Sequence, residues 1–166
     1  MADKMSTSVI IPTYNGAHKI LNVLRALEQQ TQLPDEVVVV IDGSTDGTAE
    51  LLRSNSFSLP NLRIIEQPNG GRAQVRNRGA KEAGNELLIF FDDDMRPQPQ
   101  AVAEHIAHHL RHPGSILTGG LMEEVTDQSK DLLRFRSSLS EKWNEPLLPY
   151  RDKAMPGDMS FLTAAN

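Results

Sequence analysis

Three consecutive carboxylates, Asp92-Asp93-Asp94, directly follow the apolar run Leu87 to Phe91 (LLIFF). Adjacent negative charges repel, and holding them together is costly unless a cation or well-placed hydrogen-bond donors offset them. Hard divalent ions such as Mg²⁺ or Mn²⁺ are met by such oxygens, usually one or two carboxylates completed by substrate phosphates. A solvated strand end with one Asp capping the next helix uses the same residues, so the triad alone leaves both uses open. A further acid, Asp42, closes the Val-rich run that begins at Glu36. In the segment from Asp42 to Thr48 (DGSTDGT), Ser44 or Thr45 suits a helix N-cap and Asp46 suits the helix dipole. Asp42 belongs to the strand end, not to the cap, and is the residue there that asks for a ligand. Asn69-Gly70-Gly71 is the strongest turn signal in the chain, and Arg72 and Arg76 follow on the first turns of a helix. A glycine-rich approach, a helix N-terminus and two guanidinium groups suit a diphosphate. The spacing is not that of a Walker loop.

His105, His108, His109 and His112 are spaced i, i+3, i+4 and i+7 on one helix, nominally a ligand pattern. They flank an apolar stripe of Val102, Ile106 and Leu110, and no zincin-type Glu accompanies them, so packing is the expected role. Trp143 and Tyr150 could form a sugar platform, although a lone aromatic more often belongs to a core. The chain has no cysteine, which removes disulfides, thiolate zinc sites and thiol nucleophiles. A net charge of -5, with no Lys/Arg run, argues against a nucleic-acid partner, so an anionic ligand must be met locally. The N-terminus does not read as a signal peptide and no apolar stretch reaches membrane-spanning length, so the cytoplasm, or the inner face of the membrane, is the expected setting.

The elements that position these residues alternate. Ser8 to Pro12 reads as a buried strand, Ile20 to about Gln30 as a helix, and Glu36 to Ile41 as a strand covered on both faces. A helix from about Thr48 to Arg53, a strand from Leu62 to Glu66, a helix from Ala73 to Ala83 and a fourth, central strand from Leu87 to Phe91 follow. Pro97 and Pro99 introduce a helix through Leu110. This order predicts an α/β fold: a mostly parallel, twisted sheet with helices on both faces, as in Rossmann-like domains. Ligands in such folds sit beyond the carboxyl ends of the strands, where the acids and turns above all fall. Asp127 to Trp143 could form a further helix carrying Leu132, Leu133, Phe135 and Leu139, and Pro146 to Gly157 reads as a loop.

In this order, the motifs resemble glycosyltransferase family 2. Val9 to Asn15 (VIIPTYN) looks like the family's opening strand, Asp35 to Thr48 its second motif, Asn69 to Asn77 its third, and Phe91 to Asp94 its Asp-x-Asp (DXD) motif. The resemblance is dense from Ser8 to Pro99. It implies a GT-A fold that binds a nucleoside-diphosphate sugar with Mn²⁺ or Mg²⁺ and transfers the sugar with inversion to a saccharide, lipid-linked or other hydroxyl acceptor. It implies that Pro12 and Tyr14 line the base and ribose pocket, that Asp42 reads the base, commonly uracil, and that Arg72 and Arg76 meet the nucleotide and diphosphate. Asp94 would touch the metal, Asp92 would orient ribose or metal-bound water, and Asp93 counts with the nucleotide-sugar contacts. One GT-A-type domain over 1–166 is expected, with the nucleotide-binding portion at 7–120 and the start of the acceptor side at 121–166.

Two departures stand out. The family's second strand usually ends in two acids, and Ile41 occupies the first position. Met159 to Asn166 (MSFLTAAN) looks like the strand beneath the donor sugar, and the catalytic base normally follows it, so the base is expected beyond Asn166 and the chain is expected to be C-terminally incomplete. Asp158, Glu123 and Glu124 are the late acids within the chain. Two other functions compete: a nucleotide-sugar-binding fragment without transfer activity, and a phosphoryl-transfer or receiver-like domain, which also gathers Asp residues at strand ends. Against the latter, Asp92 to Arg96 lacks the aspartyl-phosphatase pattern.

Overall fold

The computed structural model describes residues 5–120, 125 and 130–145. Strands β1 (Thr7–Thr13), β2 (Glu36–Asp42), β3 (Leu62–Gln67) and β4 (Leu87–Phe90) form a parallel sheet in the order β3-β2-β1-β4. Helices α1 (Ile20–Glu28), α2 (Thr48–Ser54), α3 (Gly71–Glu82) and α4 (Ala101–Arg111) alternate with them, and α5 (Asp131–Asn144) follows. The chain divides into two compact units, Met1–Leu110 and Arg111–Asn166, a division inside the last turn of α4.

The α/β reading of the sequence holds, with one correction: β4 is an edge strand of the described sheet, and β1 and β2 are central. β2 is buried at every position, as its consecutive valines require of a strand covered on both faces. β4 leaves Phe90 42% exposed, so an apolar run marks a strand without saying how many neighbours it has. The pleat divides the core in two. Val9, Ile11, Val37, Val39 and Ile41 pack with Ile20, Val23, Leu24 and Leu27 of α1, Leu52 of α2 and Val102 and Ile106 of α4. Val38 and Val40 face the other way, toward Val75 of α3.

α3 has little apolar surface, and of its residues only Val75 and Gly79 are buried. It compensates by close approach, since a Cβ on Gly79 would lie 2.4 Å from Ile10 Cγ2. The expected stripe on α4 holds for Val102 and Ile106, but Leu110, near the helix end, is 42% exposed and His108 is buried. α4 is anchored at its start by Gln30, whose Oε1 accepts from Val102 N at 3.0 Å and whose Nε2 donates to Gln98 O at 2.9 Å. In the second unit, α5 carries Leu132, Phe135 and Leu139 on exposed positions.

Candidate functional site

Because the strands are parallel, their carboxyl ends meet at one edge of the sheet, and Thr13, Asp42 and the triad after Phe91 come with them. The loop after β1 is stitched to the loop after β2. Asn15 N donates to Ser44 Oγ at 2.9 Å, Thr45 N to Asn15 Oδ1 at 2.9 Å, Gly16 N to Thr48 Oγ1 at 3.0 Å and Ala17 N to Asp46 Oδ2 at 2.9 Å. Ser44 and Thr45 therefore do not cap α2, as the sequence suggests they would. The N-cap is Gly47 in the left-handed region, φ +83°, and Asp46 just before it accepts from Thr48 N at 3.1 Å and from the Thr48 hydroxyl. Bonds from Thr48 hold the Asp46 carboxyl below its usual range.

Asp42 is 3% exposed. Its Oδ1 accepts from Gln67 Nε2 at 2.7 Å and from Gly70 N at 2.8 Å, and its Oδ2 accepts from Gly71 N at 2.9 Å. The carboxylate thus serves donors at the start of α3, which lacks a capping side chain of its own. Burial pushes the Asp42 carboxyl up, but the bonds from Gln67, Gly70 and Gly71 outweigh it and hold the group below its ordinary value. A carboxylate has about four acceptor positions; these three bonds leave room for one more on Oδ2. Gly43 adopts φ +71° and its missing Cβ would lie 2.7 Å from Asn69 N, so the turns after β2 and β3 touch through a position that only glycine fills.

The triad is split by its surroundings. Asp92 is partly exposed and its Oδ1 pairs with Arg76 Nη2 at 2.5 Å. Asp93 is 7% exposed, with Oδ2 accepting from Thr13 Oγ1 at 2.6 Å and Oδ1 paired with Lys19 Nζ at 2.9 Å. The bond to Asp93 raises the Lys19 pKa. Asp94 is exposed. A turn with Met95 N donating to Asp92 O at 3.1 Å carries all three.

Of the other expected site residues, Tyr14 stands 53% exposed just past β1, and Pro12 is buried within it. Ile10 O accepts from Phe91 N on the β4 side, and Pro12, two residues on, faces that same side after the β4 pairing has ended; its missing N–H costs no ladder bond. Arg72 is exposed on the first turn of α3 and Arg76 is half-buried one turn later. Tyr14, Asp42, Arg76 and the triad are thus gathered at one edge. The His cluster is a packing feature: His105 meets Phe91 edge-on and stacks on His109. Burial, with the neighbouring His109 and His108, pushes the His105 pKa down to about 4. Among the described residues no three His, Asp or Glu side chains converge into a metal cage. Glu123, Glu124, Tyr150, Asp158 and the segment 159–166 lie outside the described residues, as does the Trp143 side chain. Sequence reading did not find Lys19 or Gln67, because nothing local distinguishes either from an ordinary surface residue.

The model of the family described as Glycosyl transferase family 2 matches residues 8–166. The chain belongs to glycosyl transferase family 2. Among its family relatives is an uncharacterized glycosyltransferase, YfnE of Bacillus subtilis, 36% identical over 116 residues, which are 69% of this chain and 30% of that protein. The fold is that of GT-A transferases. S. aureus TarS in complex with UDP-GlcNAc superposes with a TM-score of 0.59 at 30% identity, over 72% of this chain and 39% of that one. The mannosyltransferase PcManGT from Pyrobaculum calidifontis, in complex with GDP-Man and Mn²⁺, gives 0.56 at 30% identity, over 61% and 31% of the two chains. The chain therefore spans about a third of the length of these proteins. No described helix is long and apolar enough to cross a membrane.

Proposed function

We propose that this chain carries the donor site of a glycosyltransferase: it binds a nucleoside-diphosphate sugar, UDP-linked, together with Mn²⁺ or Mg²⁺, and the protein transfers the sugar with inversion to a hydroxyl acceptor. The observation that supports this most is the placing of Asp92 and exposed Asp94 at the strand edge beside Arg76, a half-turn of charge that suits a cation and a diphosphate together. Two carboxylates without a complete cage fit Mn²⁺ or Mg²⁺, which complete their coordination with substrate phosphates and water. Asp94 and Asp92 would hold the ion, and its chemistry there is neutralisation of charge on the departing diphosphate. Arg76 gives up its pairing with Asp92 to meet the diphosphate, with Arg72 at the rim. Tyr14 offers its ring as a face for the base. Asp42 offers its remaining acceptor position to the uracil N–H; guanine would also have donors to present, so the preference for uracil is part of the proposal. The fits to TarS with UDP-GlcNAc and PcManGT with GDP-Man and Mn²⁺ support the donor class and the metal.

Calorimetry of UDP and GDP with the chain, in Mn²⁺, in Mg²⁺ and in EDTA, tests the reading. Mn²⁺-dependent UDP binding that Asp94→Ala makes indifferent to the metal is the expected outcome. Equal UDP affinity in Mn²⁺ and EDTA refutes the metal assignment, and tighter GDP binding refutes the choice of base.

A further inference from the structure

We propose that Lys19 and Thr13 clamp Asp93 as a positioning residue, a latch joining the loop after β1 to the turn that carries Asp92 and Asp94, so that Asp93 contacts neither nucleotide nor metal ion. The inference rests on the donor-site reading above and assigns its middle acid a different task.

Each Asp93 oxygen has one partner within the protein, the Thr13 hydroxyl at 2.6 Å and the Lys19 ammonium at 2.9 Å, and it is the burial of the group that keeps its remaining acceptor positions from a ligand. Thr13 and Asp93 are 3% and 7% exposed, so the bond between them has little competition from water, while the Lys19 side chain, 27% exposed, reaches Asp93 from the rim. The partners stand on packed elements: Thr13 ends strand β1, and Lys19 is the N-cap of α1, whose Ile20, Val23, Leu24 and Leu27 are buried. Gly16 closes over the pair. A Cβ there would lie 2.1 Å from Thr13 Oγ1 and 2.8 Å from Asp93 Oδ2, and the Gly16 N–H bonds Thr48 at the start of α2. The turn after β4 is thereby tied to the loop after β1, which Gly16 joins in turn to the start of α2. The electrostatic consequence follows from adjacency. Three charged neighbours would repel; with Lys19 neutralising Asp93, the turn presents the charge of Asp92 and Asp94 in a fixed geometry. A positioning group of this kind acts through its partners, so their effects should be non-additive.

The test is a binding cycle on the full chain, reading UDP affinity in saturating Mn²⁺ by calorimetry. Lys19→Met and Asp93→Asn should each weaken binding by about 10-fold, and the double variant should also stay near 10-fold, not reach the product of about 100-fold. Lys19→Arg, which keeps the cation but not its compact shape, should bind more tightly than Lys19→Met. Thermal unfolding confirms that each variant is folded; if a charge variant is not, Thr13→Val, which removes one donor and no charge, should weaken Mn²⁺-dependent binding by about 3–10-fold. The latch is overturned if Lys19→Met, or Thr13→Val in its place, binds like the parent, if the two single effects multiply in the double variant, or if Lys19→Arg is as weak as Lys19→Met. A parent chain that binds no UDP in Mn²⁺ means instead that the donor-site reading is wrong, and the latch falls with it.

Discussion

Asp42 has two duties in the account above, and replacing it by alanine should expose the structural one first. The carboxylate is 3% exposed and accepts from Gln67 Nε2, Gly70 N and Gly71 N. Alanine leaves two backbone donors at the start of α3 without their acceptor, and an unsatisfied buried donor costs about 1–3 kcal/mol. Gly70 and Gly71 are half-buried, so water recovers part of that, and loss of an N-cap in other helices costs about 0.5–2 kcal/mol. A destabilisation of about 2–4 kcal/mol at pH 7 is expected, which for a chain of this size lowers Tm by about 5–15 °C. The sign of the pH dependence is fixed by the lowered pKa of Asp42. Its contribution is present above the unfolded value near 3.8 and is lost as pH falls through the lower folded value, so parent and variant should converge in strong acid. Urea unfolding at pH 7 and at successively lower pH measures this directly. A variant within about 0.5 kcal/mol of the parent at pH 7, the range of an ordinary surface change, would refute the capping role.

Further expectations follow from other contacts. His105 stays neutral in the folded chain down to about 4, while in the unfolded chain it protonates near 6.5; stability is therefore full above about pH 6.5 and falls as pH drops toward 4, and His105→Gln should flatten that slope in a chemical-denaturation series. An unchanged slope would remove His105 as its source. Gly79→Ala places a Cβ 2.4 Å from Ile10 Cγ2 and should cost about 1–3 kcal/mol of unfolding free energy, whereas a neutral result would mean that α3 shifts freely on the sheet. Asp94→Ala removes an exposed side chain, so it should move the unfolding free energy by no more than about 0.5 kcal/mol even as it abolishes the Mn²⁺ dependence of UDP binding; a large loss of stability would contradict a purely ligand-facing role.

The sequence by itself determined the order of the elements and the edge at which chemistry gathers. Consecutive valines, glycine turns and strand-end acids are local signals, and in a parallel α/β chain every strand end must face the same way. The motif order, from Val9-Ile10-Ile11-Pro12 to Asp92-Asp93-Asp94, also carried the family. Tertiary structure decided how the acids differ from one another. Nothing in three identical neighbours says that Asp92 meets Arg76, that Asp93 is buried against Lys19 and Thr13, or that Asp94 is exposed, because each partner comes from a different element and the pairing depends on where α1 and α3 dock. The same holds for Asp42, whose partners run from the end of β3 to the start of α3, and for β4, whose edge position depends on strand pairing and not on its own apolar run. Local patterns set what each segment becomes; contacts between segments distant in sequence set what each carboxylate does, because burial and charge pairing are properties of the packed neighbourhood.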